Sequence, residues 1–590
     1  MAGLIVSASE IPADEIWYTS SDGGLVTPYE FDGRILTDYE NSGFGAYVVS
    51  NTYEDGKGII KFDGDISQIG DGAFYYCSNL KEITIPSSVT YIGKIAFYGC
   101  SQLTEMTIPE AVTGIGDRAF YGCSGIAEFT IPKSVNSIGV YPFYLCTGLT
   151  SIIVVEDNGT YDSRDNCNAI IETATNTLVA GCDESFIPGT VTAIGDGAFQ
   201  GCTKMTTMVI PNSVTSIGDG AFSECDCLES LVIPKSVTSI GNNCFLFCSN
   251  LTSLSVEEGN SRYDSRDNCN AIIETATNTL IRGLKNTVIP NTVENIGEFA
   301  FYQCSGMSGM DIPESVTCIS SYAFYYCRDL TSICIPDSVK SIGSAAFYGC
   351  TGVKELTVGK SVESIGNNAF FGCSIETLRW RSNMSTKGVT DNWKKSLKKI
   401  VLENSAECIE DKAFSGYQFL ESITIPNTVK WIGDSAFCEC VTMSDFEIPN
   451  SVTSIGESAF FRITKLKSLT IPESVTSIGN RAFGYCSNLK SVTVYWNEPL
   501  NIQSQTFFRV KNCTLYVPKG SLEAYQNAEV WKGFSSIVEF DTTDVQDAEM
   551  KTGIDEVSRY GLNGMKTGAG RAGIQIIRMS DGSTRKEYLR

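Results

Sequence analysis

The chain has 590 residues, a formal net charge of −24 and no histidine. The charge argues against a nucleic acid partner, because proteins neutralise nucleic acid phosphates with Lys and Arg. The absence of histidine removes His-based acid–base catalysis, Ser-His-Asp and Cys-His arrangements and most zinc sites. The sequence also contains no run of 18 apolar residues, the length that a membrane-spanning helix needs.

Residues 1–62 precede the regular part of the chain. Met1 to Ala8 carries an apolar run that ends in Val-Ser-Ala, which resembles the second half of a secretory signal. We therefore expect a truncated signal peptide here, with an ordinary N-terminal tail as the alternative. The rest of the segment is aromatic and acidic with strand-like runs, and we interpret it as an N-terminal cap, since a stacked array must cover its first unit.

Residues 63–540 repeat one pattern. A phenylalanine recurs every 23 residues in four groups, at 74, 97, 120 and 143, at 199, 222 and 245, at 301, 324, 347 and 370, and at 414, 437, 460 and 483. A fixed period of 20–29 residues with apolar residues at set offsets predicts a solenoid. A single unit cannot bury enough surface to fold alone, so the units must stack.

Each 23-residue coil predicts the same local structure. Residues 81–85 alternate polar and apolar and predict a short strand that Pro86 ends. Residues 89–92 predict a second short strand. Gly93 follows it and predicts a turn that needs positive φ. Residues 96–100 are too few for an α-helix and predict a 3₁₀ turn. The predicted fold class is therefore mainly β.

Two near-identical insertions, near 151–186 and 253–288, interrupt the period. In the first, residues 168–173 and 177–180 predict a β-hairpin. Asp162, Asp165 and Glu172 are weak candidates for calcium ligands, because hard cations bind clustered carboxylates. A solvated turn is the alternative, since their spacing is not that of an EF-hand loop. No other metal site and no cofactor is predicted.

The later part of the chain departs from the repeat twice more. Residues 379–407 form an irregular insertion whose lysine cluster at 394–399 is either a solvated loop or a patch for an anionic partner. Residues 493–540 predict a C-terminal cap, with a capping helix over 521–531.

Residues 541–590 predict an acidic linker followed by a small strand pair. This tail resembles the C-terminal sorting domains of type IX secretion. It departs from them in having Asn563-Gly564 in place of Asp-Gly and Gln575 in place of an aromatic residue.

The repeated line Ile-Pro-x-Ser-Val-x-x-Ile-Gly-x-x-Ala-Phe-x-x-Cys resembles that of the BspA-type leucine-rich repeat family. The resemblance covers about residues 60–520. It implies a secreted or surface-anchored solenoid that adheres to host matrix proteins and to other cells. Together with the tail, it implies an extracellular or outer-membrane-associated location.

Two ladders of side chains follow from the repeat. Cysteine stands three residues after the repeat phenylalanine in thirteen coils, which predicts buried thiols, with zinc or disulfide ladders as alternatives. An aromatic residue follows the phenylalanine at Tyr75, Tyr98, Tyr121, Tyr144, Tyr302, Tyr325, Tyr348, Phe371 and Phe461. These rings either stack as a structural ladder or form a contact stripe for a protein or glycan.

Three function classes remain open on the sequence alone. A protein-binding adhesin comes first, and a structural spacer or surface-layer component without a partner comes second. A carbohydrate-binding or carbohydrate-active protein is third. Carbohydrate hydrolysis would need two carboxyl groups about 5–10 Å apart in a pocket, and no spacing in the sequence indicates such a pair. The chain is therefore predicted not to be an enzyme.

Overall fold

A computed structural model describes residues 11–28, 43–383, 389, 391–403 and 406–541, and beyond these the backbone of four strands. The predicted signal segment and most of the predicted linker lie outside the described residues. The chain forms two compact units, residues 1–375 with 380–384, and residues 376–379 with 385–590. Both are built mainly from short strands, and the one α-helix of the described part is Leu522–Asn527.

Most coils contribute one or both of the strands that the sequence predicts. We call the strand before Ile-Pro, or at the equivalent position of a coil that lacks Ile-Pro, the a-strand. The two-residue strand before the repeat glycine, or before the residue in its place, is the b-strand. The a-strands are Leu80–Thr84, Glu105–Met106, Glu128–Ile131, Ser151–Val154, Ser230–Ile233, Ser253–Val256, Ser332–Cys334, Glu355–Val358, Thr377–Trp380, Lys399–Leu402, Ser422–Thr424, Asp445–Phe446, Ser468–Ile471, Ser491–Val494, Thr514–Pro518 and Ser536–Phe540. The b-strands are Gln68–Ile69, Tyr91–Ile92, Gly114–Ile115, Ser137–Ile138, Ala193–Ile194, Ser216–Ile217, Ser239–Ile240, Asn295–Ile296, Cys318–Ile319, Ser341–Ile342, Ser364–Ile365, Cys408–Ile409, Trp431–Ile432, Ser454–Ile455 and Ser477–Ile478.

Strands of successive coils pair in parallel and in register. Ile152 lies opposite Phe129 in the a-strands, and Ile115 lies opposite Ile92 in the b-strands. The offset is 23 residues in both cases, so equivalent side chains stack on one another. The period read from the sequence is therefore the stacking interval of the coils.

The turn around a repeat phenylalanine forms a third column of hydrogen bonds wherever another repeat coil follows directly. The N–H groups of Gly72, Phe74 and Tyr76 donate to carbonyls of the next coil at 2.6–2.8 Å. The alternate N–H groups, such as those of Tyr75 and Cys77, donate to the carbonyl three residues earlier. Every backbone donor from Gly72 to Cys77 is thereby satisfied, as a buried segment requires.

This turn refines the predicted 3₁₀ turn. The i to i+3 hydrogen bonds are present, but the helix is not continuous, because the residues two before and two after each phenylalanine have positive φ. Ile95 (φ 47°) and Gly99 (φ 73°) are one such pair. Most of these positions are not glycine, so the stacked hydrogen bonds must offset the strain of the left-handed conformation.

The reason for the repeat glycine differs from the prediction. Gly93 is absent from the positive-φ positions, so the predicted left-handed turn at this residue is wrong. A Cβ on Gly93 would instead lie 2.5 Å from the backbone nitrogen of Asp71 in the preceding coil. Glycine is required here because two backbones approach closely.

The repeat phenylalanines form the core of the stack. Phe74 and Phe97 have ring centroids 5.2 Å apart, and Phe97 and Phe120 are 5.4 Å apart, with the rings nearly parallel in both pairs. All three are completely buried together with the repeat Ile, Val and Leu residues. The predicted alignment of these rings is confirmed.

Both insertions contain the predicted hairpin and join it to the stack. Ala169–Glu172 pairs antiparallel with Thr177–Gly181, and residues 177–178 pair in parallel with the next b-strand, Ala193–Ile194. The second copy repeats this with Ala271–Glu274, Thr279–Gly283 and Asn295–Ile296. Each copy also has one further strand and a short 3₁₀ turn, which are Tyr161–Asp162, Tyr263–Asp264, Arg164–Asn166 and Arg266–Asn268.

Additional strands flank the repeats. Glu15–Ser20 pairs antiparallel with both Lys57–Phe62 and the first a-strand, and Val48–Glu54 pairs with Lys57–Phe62. The helix predicted over 521–531 is shorter, ending at Asn527, and a 3₁₀ turn follows at Trp531–Gly533. A further 3₁₀ turn, Asp391–Trp393, lies in the irregular insertion.

The tail has four strands where the sequence predicted a pair. They are Glu556–Gly561, Lys566–Thr567, Gly573–Met579 and Thr584–Leu589, all paired antiparallel in one sheet. The last strand is rich in charged residues, which is why an apolar pattern did not reveal it.

Candidate binding surface

The turn that holds the repeat phenylalanine inside places the following residue at the surface. Phe97 is fully buried, whereas Tyr98 is half-buried. The direction is fixed by the backbone, because successive N–H groups alternate between the same coil and the next one. Aromatic residues at this position therefore stack in a row along the outside of the turns.

Four rings form the first ladder, in the coils of Phe74 to Phe143. The ring centroids are 5.1 Å apart for Tyr75 and Tyr98, 4.1 Å for Tyr98 and Tyr121, and 4.6 Å for Tyr121 and Tyr144. The last pair is edge-on, and the Tyr144 hydroxyl donates a hydrogen bond to Glu224. The three following coils carry Gln200, Ser223 and Leu246 at this position, so the ladder ends there.

The second ladder consists of four rings in the coils of Phe301 to Phe370. Tyr302, Tyr325, Tyr348 and Phe371 have successive centroid distances of 5.2, 5.0 and 5.1 Å, with interplanar angles of 8–17°. The structure thus brings the eight candidate aromatic residues together as two ladders of four. Phe461 lies outside both of them, in the second unit, and contacts Tyr485 edge-on at 5.2 Å.

Each ladder is wider than the sequence predicts. Tyr76 is 57% exposed and lies edge-on to Tyr75 at 4.7 Å, and Tyr326 has the same relation to Tyr325 at 4.6 Å. The Arg328 guanidinium lies 4.8 Å from the Tyr326 ring centroid, within the range of a cation–π contact.

A sequence signal for these additional rings exists. Phe-Tyr-Tyr-Cys occurs at 74–77 and at 324–327, and both are followed one coil later by Phe-Tyr-Gly-Cys. The glycine is needed because a Cβ on Gly99 would lie 2.7 Å from the Tyr76 ring, and a Cβ on Gly349 would lie 2.5 Å from the Tyr326 ring. The second tyrosine and the later glycine therefore form one packing unit.

Two tyrosines of the first ladder have a raised pKa. Burial raises the pKa of Tyr98, and its hydrogen bond with Tyr121 raises it further. Burial also raises the pKa of Tyr144, as does the hydrogen bond to Glu224. These two positions therefore present neutral phenol rings, a chemistry that suits protein and sugar surfaces.

The three calcium candidates do not converge. Asp162 accepts two hydrogen bonds from the Arg164 side chain, which hold its pKa below the usual value against the opposing effect of burial. Glu172 accepts a hydrogen bond from Thr175, and Asp165 lies in the 3₁₀ turn with φ 60°. No group of three or more His, Cys, Asp or Glu residues that could hold a metal occurs within the described residues.

The repeat cysteines donate hydrogen bonds inside the core. Cys100 Sγ lies 3.1 Å from the Phe74 carbonyl oxygen, and the same bond recurs in nine further coils, at Cys123, Cys146, Cys225, Cys248, Cys327, Cys350, Cys373, Cys440 and Cys486. Burial raises the pKa of Cys77, Cys440 and Cys486 to about 12. All 23 cysteines are free thiols.

A row of acidic side chains bridges coils on another side of the turn. Asp71 Oδ1 accepts a hydrogen bond of 2.7 Å from the Lys94 N–H, and Asp117, Asp196, Asp219, Asp411 and Asp434 make the same bond to the following coil. These carboxylates contribute to the negative charge of the chain, and they also accept hydrogen bonds that join neighbouring coils.

Comparison with known families assigns this architecture. The family model of the BspA type leucine rich repeat region matches residues 59–170, 181–280, 271–389 and 392–514. The chain belongs to this family. Leucine-rich repeat proteins of this kind typically take part in protein–protein interactions and are generally not enzymes. No curated protein is significantly similar to this BspA-type chain.

Several solved structures are similar to it. A leucine-rich repeat protein from Bacteroides ovatus is 24% identical, over 79% of this chain and 90% of that one, with a TM-score of 0.28. A leucine-rich repeat protein from Eubacterium ventriosum is 24% identical, over 64% and 81%, with a TM-score of 0.33. A leucine-rich cell surface protein from Faecalibacterium prausnitzii is 24% identical, over 81% and 94%, with a TM-score of 0.29.

Among the described residues, no helix has the length and apolar character needed to cross a bilayer.

Proposed function

We propose that this BspA-type protein is displayed outside the cell and binds protein partners through its two aromatic ladders, as an adhesin for host matrix or for other cells. The observation that supports the proposal is the pair of half-exposed ladders, each widened by an additional ring at Tyr76 or Tyr326. Interface cores are enriched in aromatic residues and Arg, and Arg328 beside Tyr326 fits that composition.

The same proposal assigns a role to each segment of the chain. Residues 63–540 form the binding solenoid, residues 1–62 its N-terminal segment and cap, and residues 541–590 a linker and a sorting domain of the type IX kind. The four-stranded tail sheet is compatible with such a small separate domain. The sorting role of residues 541–590 is tested by fusing them to a reporter protein in a bacterium with type IX secretion. The proposal requires the reporter to reach the cell surface.

The adhesion proposal is tested on arrays of matrix proteins and glycans. The variant Tyr325→Ser with Tyr348→Ser removes the centre of the second ladder, and Ser223 shows that a coil accepts serine at this position. The matched control is Val209→Ser with Val232→Ser, which changes two exposed residues near the a-strands. We expect the unmodified chain and the control to bind protein spots, and the ladder variant to lose most of that signal.

Two other results would favour the alternatives. If the unmodified chain binds nothing on either array, the chain is a spacer or surface-layer component. If it binds glycans and no protein, it is a carbohydrate-binding protein, for which stacking of sugar rings on the same ladders is the physical basis.

A further inference from the structure

The second insertion contains one buried charge that its near-copy lacks. Thr279–Gly283 reads Thr-Leu-Ile-Arg-Gly where Thr177–Gly181 reads Thr-Leu-Val-Ala-Gly, so Arg282 stands in the place of Ala180. Arg282 is only 8% exposed. A buried guanidinium is costly unless it is paired, so its surroundings indicate what it is for.

The hydrogen bonds of Arg282 are incomplete. Its Nη1 donates to the Phe299 carbonyl at 3.4 Å, which is a long bond, and its buried Nε has no hydrogen-bond partner. In the part of the chain that the structure describes, no carboxylate forms an ion pair with it. Burial raises the pKa of the Cys248 and Cys304 thiols, and the positive charge of Arg282 opposes that shift only in part.

Arg282 lines a cavity of about 600 Å³, which is the size of a small-molecule site. A second difference between the copies lies in the lining of this cavity. In the first copy the Tyr141 ring packs so closely on Gly197 that a Cβ there would lie 2.0 Å from Tyr141 Cε1. In the second copy these positions are Asn243 and Phe299, and both line the cavity.

The other lining groups define the chemistry of an occupant. Asn242, Thr279 and Ser320 supply amide and hydroxyl groups that hydrogen-bond hydroxyls. Glu274 lines the cavity but is paired with Arg262 at 3.2 Å, and Glu298 lines it as an exposed carboxylate. Because Arg262 offsets Glu274, the remaining lining charges are Arg282 and Glu298, which offset each other. This balance disfavours a doubly charged anion such as phosphate, whereas one carboxylate would fit the planar guanidinium.

We infer that this cavity binds a small hydroxylated carboxylic acid, of the size of a uronic acid, with its carboxylate on Arg282. The terminal N–H groups of the guanidinium would donate to the two carboxylate oxygens. The hydroxyl groups of the ligand would face the amides and hydroxyls of the lining.

The test is titration calorimetry of the full chain with D-glucuronate as the probe. D-glucose is the neutral control, and inorganic phosphate the divalent one. We expect glucuronate to bind with a Kd on the order of 1 mM or tighter. Glucose and phosphate should bind more weakly by about tenfold or more, because glucose lacks the carboxylate and phosphate lacks the hydroxyl groups of the sugar.

Three variants locate the site. Arg282→Ala should reduce glucuronate affinity by at least about tenfold, because a charged hydrogen bond is lost. Arg379→Ala removes the same charge at an exposed position outside the cavity and should leave the affinity unchanged. Arg282→Lys keeps the charge but loses the planar fork, so it should also weaken binding, and it serves if circular dichroism shows that the alanine variant does not fold.

Several outcomes would overturn the inference. They are the absence of glucuronate binding to the unmodified chain, unchanged affinity in folded Arg282→Ala, an equal loss in Arg379→Ala, and glucose or phosphate binding as tightly as glucuronate.

Discussion

The Cys100 thiol donates a hydrogen bond of 3.1 Å to the carbonyl oxygen of Phe74, a residue of the preceding coil. The same oxygen accepts the backbone N–H of Cys77 at 3.1 Å, so two coils share one acceptor. The repeat cysteine is therefore both a small apolar residue and a donor that ties each coil to the one before it.

Replacing one such thiol should weaken the stack measurably. Cys100→Ala removes the bond to Phe74 and leaves a small void, and we expect the free energy of unfolding in urea to fall by about 1–2 kcal/mol. Cys334→Ala, at an exposed a-strand position, is the control and should change it by less than about 0.5 kcal/mol. Equal effects at both positions would contradict a structural role for the ladder thiols.

Thiol reactivity should follow burial. Cys334 is exposed, and Cys227, Cys318, Cys408 and Cys438 are partly exposed, whereas the other cysteines are buried. Because the thiolate is the reactive form, and burial both shields the thiol and raises its pKa, we expect at most these five to react with Ellman's reagent in the folded protein at about pH 7.5. All 23 should react in denaturant; rapid reaction of Cys100 or Cys123 in the folded state would show that the core is open.

The same thiols make the protein sensitive to alkali. Burial raises the pKa of Cys77, Cys146 and Cys440 from an ordinary value of 9.0 to about 12. A raised folded-state pKa means that the stabilisation is complete below about pH 9 and is lost as the pH rises from there toward 12. We expect the urea midpoint to be level from about pH 7 to 8.5 and to fall steadily above about pH 9. A midpoint that rises in that alkaline range would contradict the assignment.

The packing of Tyr76 on Gly99 can be measured by a double-mutant cycle. Gly99→Ala places a Cβ 2.7 Å from the Tyr76 ring at a residue with φ 73°, so we expect a loss of stability of about 1–3 kcal/mol. Part of this loss is steric and should disappear in the Tyr76→Ala background, while the cost of the positive φ should remain. Equal losses in both backgrounds would mean that the ring does not pack on the glycine.

Sequence periodicity was sufficient to predict the stack but not the contacts between its coils. The 23-residue interval and the Ile-Pro steps predict the a- and b-strands and the aligned Phe74, Phe97 and Phe120, because these depend on apolar spacing alone. The thiol bond joins residues 26 positions apart, one coil plus three residues, and depends on how neighbouring turns face each other. Nothing in the period indicates that direction.

The left-handed residues and the buried arginine could not be predicted for a related reason. Ile95 and Arg118 adopt positive φ, which their side chains disfavour, because the hydrogen bonds between coils require it. Arg282 stands where the first insertion has a small buried residue. From the sequence alone, a single charged residue in a predicted hairpin is expected to be exposed to solvent. In both cases tertiary packing overrides the local preference.

If partners bind as we propose, the two aromatic ladders are the contact surface of this protein. Hydroxyl-radical footprinting of the chain, free and bound to a protein identified on the array, measures this contact residue by residue. We expect strong protection of the exposed rings Tyr76 and Phe371 and of the half-buried ring Tyr326, with Val209 and Val232 labelled equally in both states. Protection confined to the valines, with the three rings labelled as in the free chain, would contradict it.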